Sequence, residues 1–202
     1  MRKRHHHLAV LGLAILLILL VSLVHQNKGP DKSFEILSFE PDLTWQPSSV
    51  EDLYEKSDLV VEVEIMGHTI VKPKDSSGHV RWGRSDTQAR VVTVYKGDET
   101  KDSLTIYETG YLDGETYYTD YDYKRSQVGR SYIFFLTKSE DGYYPAGYAF
   151  GKYPVIKSLK SLDQVDALSL NDLDLFDIMR EEDVRHYRAW YKAVMAKFDL
   201  IQ

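Results

Sequence analysis

A chain of 202 residues with 43% hydrophobic and 12% aromatic content has room for one folded domain beside a membrane segment, and little for a second. It contains no cysteine, which excludes a disulfide framework, a thiol nucleophile and a cysteine-ligated metal. The formal net charge is −6; setting Arg2, Lys3 and Arg4 aside leaves 22 basic against 31 acidic residues, a net of −9, and that sign disfavours nucleic acid and other anionic polymers as partners.

The first apolar run, Leu8 to Val24 (LAVLGLAILLILLVSLV), carries no charged residue. As a helix rising about 1.5 Å per residue it is roughly 25 Å long, enough to cross most of a bilayer. Only Gly12 and Ser22 interrupt its apolar surface, so it lacks the polar face of a core helix. Arg2, Lys3 and Arg4 precede it, and no comparable cluster follows, because Lys28 and Lys32 are interleaved with Asp31 and Glu35. The positive-inside rule then predicts a cytoplasmic basic segment at 1–7, a transmembrane signal anchor at 8–24, and everything later outside the cell membrane. The run ends in Val21-Ser22-Leu23-Val24 without a small-x-small cleavage pattern, so the anchor is expected to be retained. His5, His6 and His7 read as interfacial residues beside the basic cluster rather than as a metal tract. An exported domain of this size without cysteine points to a bacterial cell envelope. Residues 25–47, with Gly29, Pro30, Pro41 and Pro47 among polar neighbours, read as a tether.

The folded domain is expected over 48–202. Ser48 or Ser49 caps a short helix carrying Val50, Leu53 and Tyr54, with Glu51 and Asp52 where the dipole favours acids. Leu59, Val61, Val63 and Ile65 alternate with Val60, Glu62, Glu64 and Met66, a period of two that predicts a strand with the odd positions inward. Residues 72–85 (KPKDSSGHVRWGRS) read as a loop or irregular hairpin. Residues 88–96 and 103–109 are two further strands, close enough to form an antiparallel hairpin. Residues 111–127 read as a polar, tyrosine-rich excursion. Residues 130–138 (RSYIFFLTK) are apolar on both faces, as a central strand would be, and Asp141-Gly142 turns into strand material at 143–150. After Asn171, a candidate cap, Val184, Tyr187, Tyr191, Val194 and Phe198 keep a helical 3-4-3-4 spacing that Trp190 and Met195 widen, so a C-terminal helix is expected to lie on the sheet.

These elements predict a β-rich α+β fold, a small antiparallel β-barrel with a C-terminal helix, with a sandwich as the alternative. The succession Ser57-Asp58-Leu59-Val60-Val61-Glu62-Val63, Val91-Val92-Thr93-Val94-Tyr95-Lys96-Gly97-Asp98, Leu104-Thr105-Ile106 and Gly129-Arg130-Ser131-Tyr132-Ile133-Phe134-Phe135-Leu136 resembles small bacterial exported domains with an OB-like barrel, related to the netrin and tissue-inhibitor-of-metalloproteinase class. The resemblance covers roughly 48–155 and implies an OB-like fold. Tissue inhibitors act through an N-terminal cysteine and disulfides; this chain has neither, so that mechanism does not carry over.

The segment 111–123 (YLDGETYYTDYDY) interleaves tyrosines with acids. Tyrosine offers flat apolar area and a hydroxyl at small entropic cost, so Tyr117, Tyr118 and Tyr121 with Asp120 and Asp122 are the candidate partner-binding residues, for an envelope protein or a glycan. The bland alternative is a solvated loop whose tyrosines pack on the barrel. Its acids miss the EF-hand template, and no metal site or cofactor is assigned. Glu182 and His186 at i, i+4 could begin a zinc site, but a third ligand is lacking, and Glu181 with Arg185 reads as a solvated ion pair. No Walker loop, dinucleotide fingerprint or nucleophile elbow is present, and no catalytic residue is assigned. The expected function is a membrane-anchored extracytoplasmic binding or interaction module. The alternatives are an envelope hydrolase using Asp113, Asp120 or Asp122, and a purely structural spacer.

Overall fold

The computed structural model describes residues 35–39, 45–74, 76–78, 82–99, 101–120, 123–176 and 180–201. The basic segment, the run at 8–24, most of the tether, His79, Tyr121 and Asp122 lie outside the described residues. Among the described residues no helix is long and apolar enough to cross a membrane. Their elements run β1 (Glu35–Phe39), α1 (Val50–Lys56), β2 (Leu59–Val71), β3 (Arg84–Lys96), β4 (Ser103–Glu108), β5 (Tyr111–Asp113), β6 (Thr116–Asp120), β7 (Ser131–Lys138), β8 (Tyr143–Pro145), β9 (Lys152–Pro154) and α2 (Glu181–Lys197), with 3-10 turns at Tyr148–Gly151 and Leu162–Ala167.

β2, β3, β4, β8 and β7 close into a five-stranded barrel, because β7 returns to pair with β2. β2–β3, β3–β4, β2–β7 and β7–β8 are antiparallel; β8 meets β4 in parallel, with Tyr143 opposite Ile106. Closure removes the free edges that an open sheet of this size would expose. Leu59, Val61, Val63 and Ile65 face inward as their alternation predicts, and pack with Ala89, Leu104, Ile106, Tyr132, Phe134 and Leu136. β7 is apolar on both faces because its other side, Ile133 and Phe135, joins a second core.

That second core is built by the helices. Ser49 caps α1 by accepting from the Asp52 N–H at 3.1 Å, which leaves Val50 and Leu53 buried. α2 buries Val184, Tyr187, Trp190, Tyr191, Val194 and Met195, the stripe its spacing predicts. Two of those tyrosines are also latches: the Tyr187 hydroxyl donates to the Lys152 carbonyl at 2.6 Å and the Tyr191 hydroxyl to the Pro154 carbonyl at 2.8 Å. Each buried hydroxyl thereby satisfies a strand carbonyl facing the helix.

Three expectations about elements need correction. α2 starts at Glu181 and not after Asn171, because Asn171 is spent in a turn whose carbonyl accepts from Asp174 N–H at 3.2 Å, and Asp174 then takes a left-handed φ of 58°. The material expected as strand over 143–150 stops at Pro145; Gly147 turns left-handed, at φ 63°, into a 3-10 turn, and β9 follows. β3 begins at Arg84, so the stretch expected as a loop or irregular hairpin over 72–85 ends two residues early and connects the antiparallel β2 and β3, with Val71 opposite Arg84.

Gly151 closes that 3-10 turn against backbone. A Cβ there would stand 2.5 Å from the Ala146 carbonyl oxygen and 2.7 Å from the Ala146 nitrogen. Neither atom can swing aside as a side-chain tip would. Gly151→Ala is therefore expected to cost about 1–3 kcal/mol, the range for overpacking a close contact. Urea denaturation checks this; an unchanged midpoint would show that the turn simply shifts.

Candidate functional site: an aromatic groove beside a buried carboxylate

Residues 111–120 form a hairpin and not an excursion. β5 and β6 pair antiparallel, with Tyr111 opposite Tyr118 and Asp113 opposite Thr116, and Gly114 supplies the positive φ of 63° that the tight turn requires. The aromatic and β-branched residues on either side of Asp113-Gly114 suit strands. β6 also receives β1 in parallel, Ile36 opposite Tyr117 and Leu37 opposite Tyr118, so residues 35–39 of the expected tether are a strand instead. The unpaired edge of β6 is what gives them a partner.

Strand pleating then divides the residues proposed for partner contact. Tyr117 and Thr119 are buried on one side of β6, whereas Thr116, Tyr118 and Asp120 are half-buried on the other. Tyr117 is 6% exposed; its hydroxyl accepts from the Arg125 N–H at 2.6 Å, donates to the Tyr123 carbonyl at 3.4 Å, and its ring meets Phe176 edge-on at 5.2 Å. It holds the hairpin in place. Tyr118 stacks on Tyr111, centroids 5.1 Å apart and planes within 10°. Asp113 forms an ion pair with Lys72 at 2.8 Å, which ties the hairpin turn to the end of β2. Period-two alternation within TYYTD could have separated Tyr117 from Tyr118, had the segment been taken as a strand.

The outward side of β6 forms one wall of a groove of about 510 Å³, which also includes Phe39, Trp82, Arg84, Tyr107, Tyr111 and Tyr144. Arg84 is fixed at several points. Its Nε donates to Asp86 Oδ1 at 2.6 Å, its Nη1 to the Tyr144 hydroxyl at 3.3 Å, and its guanidinium lies 3.8 Å from the Tyr107 ring centroid. Tyr107 and Tyr144 meet edge-on at 5.1 Å. Trp82 and Phe39 are 51% and 55% exposed. Asp120 carries no ion pair among the described residues, and burial pushes its carboxyl above the ordinary carboxylate value. Only Tyr118 and Asp120 of the five residues expected to bind a partner line this groove among the described residues; Trp82, Arg84, Tyr107 and Tyr144 were not anticipated, because they lie outside the hairpin in sequence, Trp82 before β3 and the others on β3, β4 and β8.

Behind the groove lies a buried polar cluster centred on Glu108, which is 0% exposed. One carboxylate oxygen accepts from the Tyr123 hydroxyl at 2.7 Å and the Ser126 N–H at 2.9 Å; the other accepts from the Ser126 hydroxyl at 2.6 Å and from the Thr87 hydroxyl. The His68 Nδ1 stands 2.9 Å from the Thr87 hydroxyl, which joins the ring to this cluster. Burial, helped by nearby Arg125, lowers the His68 pKa and keeps the ring neutral. Lys152, 3% exposed, donates its ammonium to the Lys124 carbonyl and lies 4.8 and 5.4 Å from the ring centroids of Tyr123 and Tyr132; burial lowers its pKa. Buried Asp174 accepts from Arg130 and Gln127, each at 2.8 Å.

Glu108 was not recognised, yet its signal is present: it continues the inward phase of Leu104 and Ile106 along β4, as Ser85 and Thr87 share the phase of Ala89 on β3. A polar residue in the buried phase of a strand needs partners. These groups are occupied with one another, and they pin the loop after β6 to the barrel. Glu182 is held by Arg180 at 3.0 Å, and the His186 ring packs against Phe150 and Trp190. Among the described residues no three His, Asp or Glu side chains converge to hold a metal ion. No protein-family model matches the chain, and no curated protein matches it in sequence.

Proposed function

We propose that this chain is a membrane-anchored, extracytoplasmic binding module whose contact surface is the aromatic groove between the β5–β6 hairpin and the barrel. One observation carries the reading: six aromatic residues, five from separate strands and Trp82 from the segment just before β3, line a single open groove around fixed Arg84 and Asp120. Apolar walls with a few placed polar groups suit recognition. The charge-free run at 8–24 behind Arg2, Lys3 and Arg4 supports an anchor with the domain outside. The five-stranded closed barrel supports an OB-like reading of the domain; the cysteine-dependent inhibition of the netrin and tissue-inhibitor class is no part of the proposal, because the chain has no cysteine. For the hydrolase alternative, Asp113 is tied to Lys72 and the Glu108 carboxylate is filled by four donors, which leaves Asp120 without a described carboxylate free to act beside it.

A photoreactive residue in place of Trp82, in the full chain in intact membranes, is expected to crosslink a discrete partner, whereas the same residue in place of exposed Val128, outside the groove, is expected to capture none. Tyr118→Ala should weaken that capture roughly tenfold or more, the usual size for truncating a central aromatic anchor. Equal capture at both positions, or capture indifferent to Tyr118→Ala, would sink the assignment.

A further inference from the structure

We propose that the groove's ligand is the cationic side chain of a basic peptide segment, seated among the groove's aromatic rings with its charge on Asp120. This rests on the binding reading above and specifies its partner. The charges in the groove decide the sign. Arg84 is already neutralised by Asp86 and stacked on Tyr107, and Glu108 is filled by four donors. Asp120 alone is half-buried with no ion pair among the described residues. A partly desolvated carboxylate without a partner is costly, and a cation brought to it recovers that cost. Aromatic faces favour the same ligand, because the ring quadrupole attracts cations.

The rings also argue against the main competitor, a neutral sugar. A sugar stacks on an open aromatic face, but Tyr111 and Tyr118 cover each other at 5.1 Å and Tyr107 carries the Arg84 guanidinium on one face. A compact ammonium or a guanidinium edge needs less open face than a pyranose. At longer range, the net charge of −9 outside the N-terminal basic cluster draws cationic segments toward the surface and repels acidic ones.

The test titrates the full chain in detergent micelles with three probes: capped tri-lysine, the same peptide acetylated on every ε-amine, and chitotriose. Binding is followed by calorimetry and by the fluorescence difference between the native chain and Trp82→Phe. Tri-lysine is expected to bind and to perturb Trp82, and acetylation or Asp120→Asn to weaken it about tenfold, the size of one charge-assisted hydrogen bond. Glu140→Gln, a change at an exposed acid outside the groove, is expected to stay within about twofold, because screening removes most of a distant charge's effect. Equal losses for Asp120→Asn and Glu140→Gln would overturn the proposal as general charge attraction. Chitotriose or acetylated peptide binding in a Tyr118-dependent way, with tri-lysine inert, would overturn the cationic ligand and leave the groove reading standing. Silence of all three probes together with no crosslink at Trp82 overturns both.

Discussion

Glu108→Ala is expected to be the most destabilising single change in the barrel, by about 3–5 kcal/mol, the range for removing one member of a buried, hydrogen-bonded charged cluster. The Glu108 carboxylate collects two donors on each oxygen: the Tyr123 hydroxyl and Ser126 N–H on one, the Ser126 and Thr87 hydroxyls on the other. Truncation orphans all four in a site with no exposure and leaves a void as well. Glu108→Gln keeps the volume but replaces one acceptor oxygen with a donor. With its NH2 turned to the Ser126 and Thr87 hydroxyls, the amide keeps its carbonyl oxygen for the Tyr123 hydroxyl and the Ser126 N–H, so those two hydroxyls lose their acceptor and a loss of about 2 kcal/mol is expected. For a domain of this size, Glu108→Ala should lower the melting temperature by roughly 10 °C. A loss below about 1 kcal/mol for Ala would mean that water replaces the carboxylate and that the cluster is not the keystone described. The consequence reaches the groove, because Tyr123, held by Glu108, offers its carbonyl to Tyr117 and Thr119 on β6. Loss of Glu108 should therefore also weaken partner capture, while Tyr118→Ala should affect capture and cost only about 1 kcal/mol of stability, the size of the stacked pair it makes with Tyr111.

A second large effect is expected in alkali. Tyr117, Tyr123, Tyr132, Tyr153, Tyr187 and Tyr191 are all buried, and burial is the leading cause that pushes each phenol above its ordinary value. Partly buried Tyr95, also near Glu62, is pushed up to about 12. The folded values exceed the unfolded one, so above about pH 10 the unfolded chain releases protons that the folded chain keeps. Stability is fully present below that pH and falls as pH rises. Six such groups remove about 8 kcal/mol per pH unit while they remain protonated, which is comparable to the whole stability of a domain, about 5–15 kcal/mol. Lys152 acts in the opposite direction: burial lowers its value, so its cost is relieved as pH rises toward the free lysine value of about 10.4. One group against six cannot rescue the fold. Phenolate absorbance and far-ultraviolet circular dichroism should therefore change together in one steep step near pH 11–12. A gradual titration of all 15 tyrosines around their free value with the dichroism intact would refute the burial argument.

What the sequence alone determined are the features whose cause is local. Period-two alternation placed Leu59, Val61, Val63 and Ile65 inside the barrel, because successive side chains of a strand point to opposite faces wherever the strand sits. The 3-4 spacing chose the buried stripe of α2, and Ser49 capped α1 through a hydroxyl oxygen that accepts from the N–H three residues on. Tertiary structure decided whatever depends on strands meeting. It made residues 35–39 a strand by offering them the edge of β6, and it divided Tyr117 from Tyr118 by pleating a segment that composition alone had treated as one acidic, aromatic surface. It also brought Trp82, Arg84, Tyr107, Tyr144 and Asp120 to one groove, and Thr87, Tyr123 and Ser126 to one carboxylate. Those groups are separated along the chain by up to several tens of residues, and the docking of the β5–β6 hairpin and the loop after it on the closed barrel sets their distances. Cysteine-free composition and acidic charge narrow the chemistry that such a groove can recognise, while the position of its free charge is a property of the fold.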